Sequence, residues 1–402
     1  MPFQQVFIPY GAYWSTPFVR WQGSFAHLHP ITFAAEIARR ALQERAIAPD
    51  AFDSLFLGMT VPAHHSFYGP PWLAALIGAP TISGPMISQA CATSARVVGS
   101  AAYEIERDPQ RCILAITCDK TSNGPHLYYP NPLGPGGQGE SEDWIGDNFN
   151  FDPYAENAML QTAENVAGES GFTLEEQNEV TYLRYRQYQD ALRDDAAFHR
   201  RYMITPIEVK DNAGRKTLAT VTDDEGIYPT TPEGLARLRP VQPGGSVTFG
   251  TQTHPADGNC GLVLTSREQA RELSRDPAIE ISVLAFAQAR AKRGFMAQAT
   301  VPAARLALAS AGLNIGDLKA IKTHNPFAVN DLYFAREFDL PLDSFNHYGS
   351  SLIFGHPQGP TGMRLLIELI EELVLADGGA GLFVGCAAGD TGAAVVIQVR
   401  TA

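Results

Sequence analysis

The chain has 402 residues, 45% hydrophobic and 18% charged, with 36 Gly and 28 Pro, a globular composition long enough for two or three packed units. A formal net charge of −13, with no basic stripe to offset it, excludes nucleic acid and an anionic membrane surface as main partners. Five scattered cysteines form neither a disulfide framework nor a CxxC zinc pattern, no apolar run reaches membrane-spanning length, and "MPFQQVFIPYGAYW" lacks the basic and apolar regions of a signal peptide, so a cytoplasmic protein with reduced thiols and no metal site is expected.

Short strand-like runs alternate with helical ones from the start. "QVFIPYG" predicts a first strand, "ITFAAEIARRALQERA" an amphipathic helix, "SLFLGMT" a strand and "PWLAALIGA" a second helix. "CATSARVVGSAAYEIERD" predicts a longer helix and "CILAITC" a buried strand, an order that implies βαβ units and a mostly parallel sheet covered by helices.

Between about residue 120 and residue 247 the pattern breaks. "SNGPHLYYPNPLGPGGQGESEDWIGDNFNFDPY" is rich in Gly, Pro and Asn without periodicity. Helix signals follow at "AENAMLQTAENVAGES" and, after the "TLEEQ" start, at "NEVTYLRYRQYQDALRDD", then a charged hairpin near "IEVKDNAGRKTLATV". An insertion carrying a ligand surface accounts for this block.

Regular alternation resumes at "NCGLVLTS" and runs through "VPAARLALASAG", "AIKTHNPFAVNDLYFAREF", "GPTGMRLLIELIEELVLADGG", "AGLFVGCA" and "AAVVIQV". Each half holds a small-residue turn, a helix, a strand, a connection and a strand, with Cys91 in the first turn and His356 in the second. An internal duplication is the economical account, and it would set Cys91 and His356 at equivalent helix N-termini, facing each other across a pseudo-twofold axis. The expected division is residues 1–120 plus 248–272 as one half, 121–247 as the inserted loop domain, and 273–402 as the other half.

Four residues stand out chemically. Cys91 heads a helix in "SQACATSA", where the helix dipole and free N–H groups favour thiolate, although a buried inert thiol is the commoner fate of a single cysteine. His356 sits between Gly355 and Pro357 ahead of a helix whose Met363, Leu366, Ile367, Ile370 and Val374 recur at helical spacing, with Gly378-Gly379 as a stop. His324 in "THNPFAVND" lies between strand and helix, and Cys386 in "FVGCAAGDTG" ends a buried strand. Each could be structural alone; four such residues, each at the mouth of an element and framed by small residues, argue for a site.

These motifs resemble those of the thiolase family over essentially the whole chain. "SQACATSA" matches the family's nucleophile turn, "GHPQGPTG" its catalytic His motif and "CAAGDTG" its second cysteine turn, while "TAENVAGESGFTLEEQNE" and "PEGLARLRPV" resemble its insertion. There are departures. His324 in "HNPF" stands where many thiolases have the Asn of N-E-A-F, as in sterol-carrier-type thiolases and their bacterial relatives. Ala387-Ala388-Gly389-Asp390 replaces a glycine-rich run, and Ala158 stands where a histidine near the acyl group is common.

The resemblance implies a duplicated five-layered α-β-α-β-α core of two mixed sheets with an inserted loop domain. It implies Cys91 as nucleophile, His356 as its base, Cys386 as acid/base at the α-carbon, His324 beside the enolate oxygen, and the backbone N–H groups of Cys91 and Ala388 as an oxyanion hole. Thr253, Met159 and Phe327 are the implied CoA- or substrate-binding residues. Coenzyme A would be a co-substrate, with no permanently bound cofactor. The family also implies a homodimer or dimer of dimers, and this subtype a small partner with a zinc ribbon and an OB-fold. The aromatic "HHSFYGPPW" and "PHLYYPNP" point to a bulky or aromatic acyl group, benzoylsuccinyl-CoA being one candidate, with His64 and His65 either shaping that pocket or forming an exposed loop pair. A β-ketoacyl synthase, a non-catalytic acyl-CoA-binding subunit and an aldolase-type lyase are the competing functions. Retention of Cys91, His356 and Cys386 together favours thiolase.

Overall fold

The computed structural model describes residues 2–401. The chain opens with β1 (Phe7–Ile8), β2 (Tyr13–Ser15), β3 (Val19–Arg20), α1 (Pro30–Glu44), β4 (Ser54–Gly58), α2 (Gly69–Ile77), β5 (Met86–Ile87), α3 (Thr93–Arg107) and β6 (Ile113–Lys120). The irregular segment follows, with β7 (His126–Tyr129), β8 (Glu140–Asp143), α4 (Gly146–Asn150), α5 (Met159–Ser170), α6 (Leu174–Ala191), α7 (Arg193–Ala196), β9 (Ile207–Lys210), β10 (Thr217–Val221) and α8 (Pro232–Ala236). Next come β11 (Ala256–Leu264), α9 (Arg267–Leu273), β12 (Ile279–Arg290), α10 (Thr300–Ala311) and β13 (Leu318–His324). The last elements are α11 (Ala328–Phe338), α12 (Ser351–Phe354), α13 (Gln358–Leu375), β14 (Gly379–Ala387) and β15 (Thr391–Thr401).

Two mixed sheets repeat one plan. The first runs β2-β11-β6-β4-β5 and the second β1-β12-β15-β14-β13. In each, a parallel pair (β4 with β6, β13 with β14) is extended by an antiparallel strand, β11 or β15. Helices α3 and α13 pack against each other and against strands of both sheets, while α1 covers the first sheet and α10 the second. The layers are therefore α-β-α-β-α, the duplicated architecture that the motif order implies.

The first predicted strand forms, at Phe7–Ile8, and belongs to the second sheet. Phe7 and Ile8 pair with Ser282 and Ile281 at the edge of the second sheet, and the first sheet takes Tyr13–Ser15 instead. The intervening Gly11, at φ +81°, lets the chain turn between sheets where a Cβ would be strained. "CILAITC" lies in the interior of its sheet, between β11 and β4. The "TLEEQ" start is a capping box, Thr173 accepting from the Glu176 N–H while Glu176 accepts from Thr173 N–H. The charged hairpin forms as β9 against β10.

Helix α13 is buried all round, unlike a surface amphipathic helix. Its apolar stripe meets the sheets. Its charged side chains are paired instead: Arg364 with Asp224, Glu368 accepting from the Tyr202 hydroxyl, and Glu371 from Tyr13 and Arg201. These bonds bolt the irregular segment to the central helix.

Candidate active site

Local backbone geometry presents the nucleophilic candidate. Ala90 takes φ +43°, a left-handed elbow costing roughly 1–3 kcal/mol for a residue with a Cβ. The Thr93 hydroxyl staples that elbow, accepting from Gln89 N–H at 2.8 Å and donating to the Ala90 carbonyl at 2.7 Å. Cys91 is thereby thrust out one residue before the cap of α3. Gly355, at φ +91°, does the equivalent for His356 ahead of α13. Ser94 Oγ donates to the Gly359 carbonyl, tying the two helix starts together.

His356 Nε2 stands 3.1 Å from Cys91 Sγ, and its Nδ1 stands 2.7 Å from Thr361 Oγ1. Thr361 spends its single hydroxyl proton on the Pro357 carbonyl at 2.6 Å, so it accepts from His356 Nδ1–H. Nε2 is then unprotonated and aimed at the thiol. Burial pushes the Cys91 thiol up to about 12, while the N–H groups of Ala388 and Cys91 itself pull the other way. Burial, with His254 nearby, lowers His356 to about 3. The resting pair is thiol and neutral imidazole, and these two N–H groups already face the sulfur.

Register brings the other two candidates to the same point. In the parallel pair of β13 and β14, His324 stands opposite Gly385, next to Cys386. The His324 and His356 rings lie 4.1 Å apart, centroid to centroid. His324 Nδ1 meets Ser351 Oγ at 2.8 Å, and its buried Nε2 has no protein partner. Cys386 Sγ accepts from Asn330 Nδ2 at 3.1 Å; burial and the neighbouring Cys91 raise its thiol, and Asn330 opposes this. Cys91 and His356 keep 6% and 7% of their surface open, whereas Cys386 and His324 are closed at 0%, so only the first pair meets an incoming molecule without rearrangement. Cys91, His324 and His356 are also the group of described residues whose donor atoms, within 4.8 Å of one another, could hold a soft metal ion.

Two cavities flank this cluster. One, about 610 Å³, is lined by Gln252, His254, Pro255, Phe249, Tyr228 and Leu352, and Pro255 bridges to His356. The other, about 460 Å³, is walled by Ala90, Gln358, Ala388, Met159, Trp144 and Tyr154. Met159 thus stands in the second cavity. Thr253 lies between the first cavity and Ser351, its hydroxyl donated to the Ser351 carbonyl. Phe327 is buried in one apolar cluster with Cys386. The His64 and His65 rings lie against each other, tilted by 49°, and His65 lines a separate open groove with Trp72, so neither belongs to the two cavities beside Cys91. The "HLYY" strand is likewise an outer hairpin.

The residues not foreseen are the orienting partners. Thr361 and Ser351 hold the two imidazoles, Asn330 holds the second thiol, and the aromatic wall comes from the 144–154 stretch. Thr361 lies within "GHPQGPTG", five residues after the histidine; nothing in the sequence marks Asn330 or Ser351.

The comparisons with known proteins agree with this geometry. The description "Thiolase, N-terminal domain" matches residues 12–268, and "Thiolase, C-terminal domain" matches residues 278–399. The chain belongs to the thiolase family and is an acyltransferase. It is 26% identical over 387 residues to an acetyl-CoA acetyltransferase of Paracoccus denitrificans, covering 95% of this chain and 97% of that one. It is 29% identical over 397 residues to a beta-ketoadipyl-CoA thiolase of Pseudomonas knackmussii, covering 95% and 96%. Among solved structures, human mitochondrial 3-ketoacyl-CoA thiolase in complex with CoA matches with a TM-score of 0.88 at 26% identity over 100% of both chains. The Bacillus anthracis acetyl-CoA acetyltransferase gives 0.89 at 26% identity, covering 99% of each. No helix among the described residues is long and apolar enough to cross a membrane.

Proposed function

We propose that this chain cleaves a β-ketoacyl-CoA with CoA, or runs the reverse Claisen condensation, through an acyl-enzyme on Cys91. The contact of His356 Nε2 with Cys91 Sγ at 3.1 Å, with a cavity on either side, carries this reading. His356 takes the thiol proton and the thiolate adds to the β-keto carbon. The N–H groups of Cys91 and Ala388 stabilise the resulting oxyanion. Collapse breaks the bond to the α-carbon and leaves the acyl group on sulfur. Cys386 delivers its proton to the departing α-carbon. His356, now protonated, holds the enolate oxygen, and His324 joins it once Ser351 Oγ turns its single proton from Asn325 Oδ1, 3.1 Å away, to His324 Nδ1, leaving the ring proton on Nε2. Protonated His356 returns its proton to the Cys386 thiolate; the CoA thiol then attacks the acyl-enzyme, His356 taking its proton and passing it to the departing Cys91 thiolate, and acyl-CoA leaves.

The cavity lined by His254 and Pro255 suits the pantetheine arm of CoA, with Thr253 bracing its wall through Ser351. The segment 121–247 would be the unit facing CoA and acyl group, set between the two halves at 1–120 plus 248–272 and 273–402. The cavity with Met159 and Trp144 suits the acyl group, and its aromatic lining favours a bulky or aromatic one such as the benzoyl part of benzoylsuccinyl-CoA. Phe327 would support this site from behind Cys386. A homodimer at minimum is proposed on the open edge strand β5, whose Met86 is 48% exposed just ahead of the Cys91 turn. A dimer of dimers and a zinc-ribbon/OB-fold partner are extensions that copurification would detect. The protein would act in the cytoplasm.

Incubation with acyl-CoA followed by peptide mass spectrometry tests the central step. Acyl on Cys91 is the expected result; label elsewhere, or none on an active enzyme, overturns it.

A further inference from the structure

The acyl-side cavity contains acids and bases whose needs are met unequally. Asp152 accepts from the N–H groups of Tyr154 at 2.7 Å and Ala155 at 3.0 Å, and Asp390 accepts from Gly294 N–H at 2.8 Å. Both carboxylates are thus occupied by backbone donors. Arg293, just beyond, pairs with Glu156 at 2.6 Å. Arg290 is the exception. Its Nε donates to the Gly389 carbonyl at 3.1 Å and its guanidinium lies 4.9 Å over the Tyr154 ring, yet no carboxylate of the described residues comes within 4.0 Å.

A guanidinium fixed along one edge by a carbonyl and on one face by a ring keeps its remaining donors in a defined direction. That fork matches the two oxygens of a carboxylate. Gly389 follows Ala388, whose N–H faces Cys91 Sγ, so one turn joins this exposed guanidinium, whose charge also reaches Asp390, to the reacting sulfur. The same cavity is lined by Trp144, held by its Nε1–H bond to the Thr60 carbonyl at 3.0 Å, and by Phe149, apolar surface for an acyl chain.

We propose that Arg290 binds a carboxylate carried by the β-ketoacyl group, so that the substrates are β-keto dicarboxylic acyl-CoA thioesters, the chain lying along Trp144. This rests on the thiolase reading of the Cys91 site.

The test uses the full-length enzyme and two thioesters of equal chain length, 3-oxoadipyl-CoA ending in carboxylate and 3-oxohexanoyl-CoA ending in methyl. The parent should favour the carboxylate in kcat/KM by at least about tenfold, the scale of one charge-assisted hydrogen-bond pair. Arg290→Gln should lose about 10- to 100-fold on 3-oxoadipyl-CoA, chiefly in KM, while 3-oxohexanoyl-CoA changes less than about threefold. Arg290→Lys, which keeps the charge but not the fork, should fall between. An equal loss on both thioesters overturns the proposal, because Arg290 would then serve the Gly389 turn or the CoA moiety common to both. Cleavage by the parent without preference overturns it too. If the parent cleaves neither, this proposal falls, and acylation of Cys91 by acyl-CoA decides separately whether the thiolase reading stands.

Discussion

His356 Nε2 lies 3.1 Å from Cys91 Sγ, a contact between residues 265 positions apart that joins the two halves of the chain at their central helices. Both groups rest uncharged. Burial raises the thiol to about 12, so it stays protonated below that pH; burial lowers the imidazole to about 3, so it stays neutral above that pH. Between those limits the thiolate fraction grows about tenfold per pH unit. Inactivation by iodoacetamide should therefore climb steadily from about pH 6 to about pH 9. A flat rate across that range would mean a preformed thiolate–imidazolium pair.

The Thr361 hydroxyl fixes which nitrogen of His356 is bare. Thr361→Val removes the acceptor at Nδ1 and allows the proton to sit on Nε2, facing the thiol. Turnover should fall by about tenfold, the value of one hydrogen bond, with the folded state's melting temperature little changed. Thr361→Ser should restore it. If the valine variant keeps full turnover, the tautomer is set by something else.

Cys91 and Cys386 should fail in different ways. Cys91→Ser should lose nearly all turnover, since a hydroxyl is a far weaker nucleophile near neutral pH. Cys386→Ala should still accept acyl on Cys91 from a simple acyl-CoA, yet lose condensation and exchange of α-protons with solvent by about 10²- to 10⁴-fold. His356→Ala should weaken both steps. Should Cys386→Ala exchange α-protons as fast as the parent, Cys386 is a packing residue held by Asn330.

Asp331 pairs with Arg184 at 2.7 Å, both side chains fully buried, and also accepts from Thr323 Oγ1 and Asn325 Nδ2 on either side of His324. Asp331→Ala would leave the guanidinium buried without its anion, a loss of about 3–5 kcal/mol. Thermal melting should register a large drop, and Asp331→Ala combined with Arg184→Met should recover part of it. Equal melting of the single and double variants would refute the uncompensated charge as the cause.

Much was legible in the sequence because it is carried by local rules. Hydrophobic periodicity marked α3, β6, α13 and β14, the capping box marked α6, and glycine and small residues marked the turns that hold Cys91, His356 and Cys386. Repetition of those parts implied the two sheets, and the motif order implied the family before any contact was known. Tertiary structure alone decided the rest. Phe7 and Ile8 looked like a strand of the first half, but a strand's pattern does not name its partner, and pairing with β12 sent them to the second sheet. Arg364, Glu368 and Glu371 have the look of a solvated helix face; they are buried because Asp224, Tyr202, Tyr13 and Arg201 arrive from distant segments to pair with them. Thr361, Ser351 and Asn330 are common residue types whose roles exist only once a ring or a thiol is set beside them. His64 and His65, conspicuous in the sequence, lie against each other and line neither cavity at Cys91, since adjacency along a loop says nothing about which surface the loop will face.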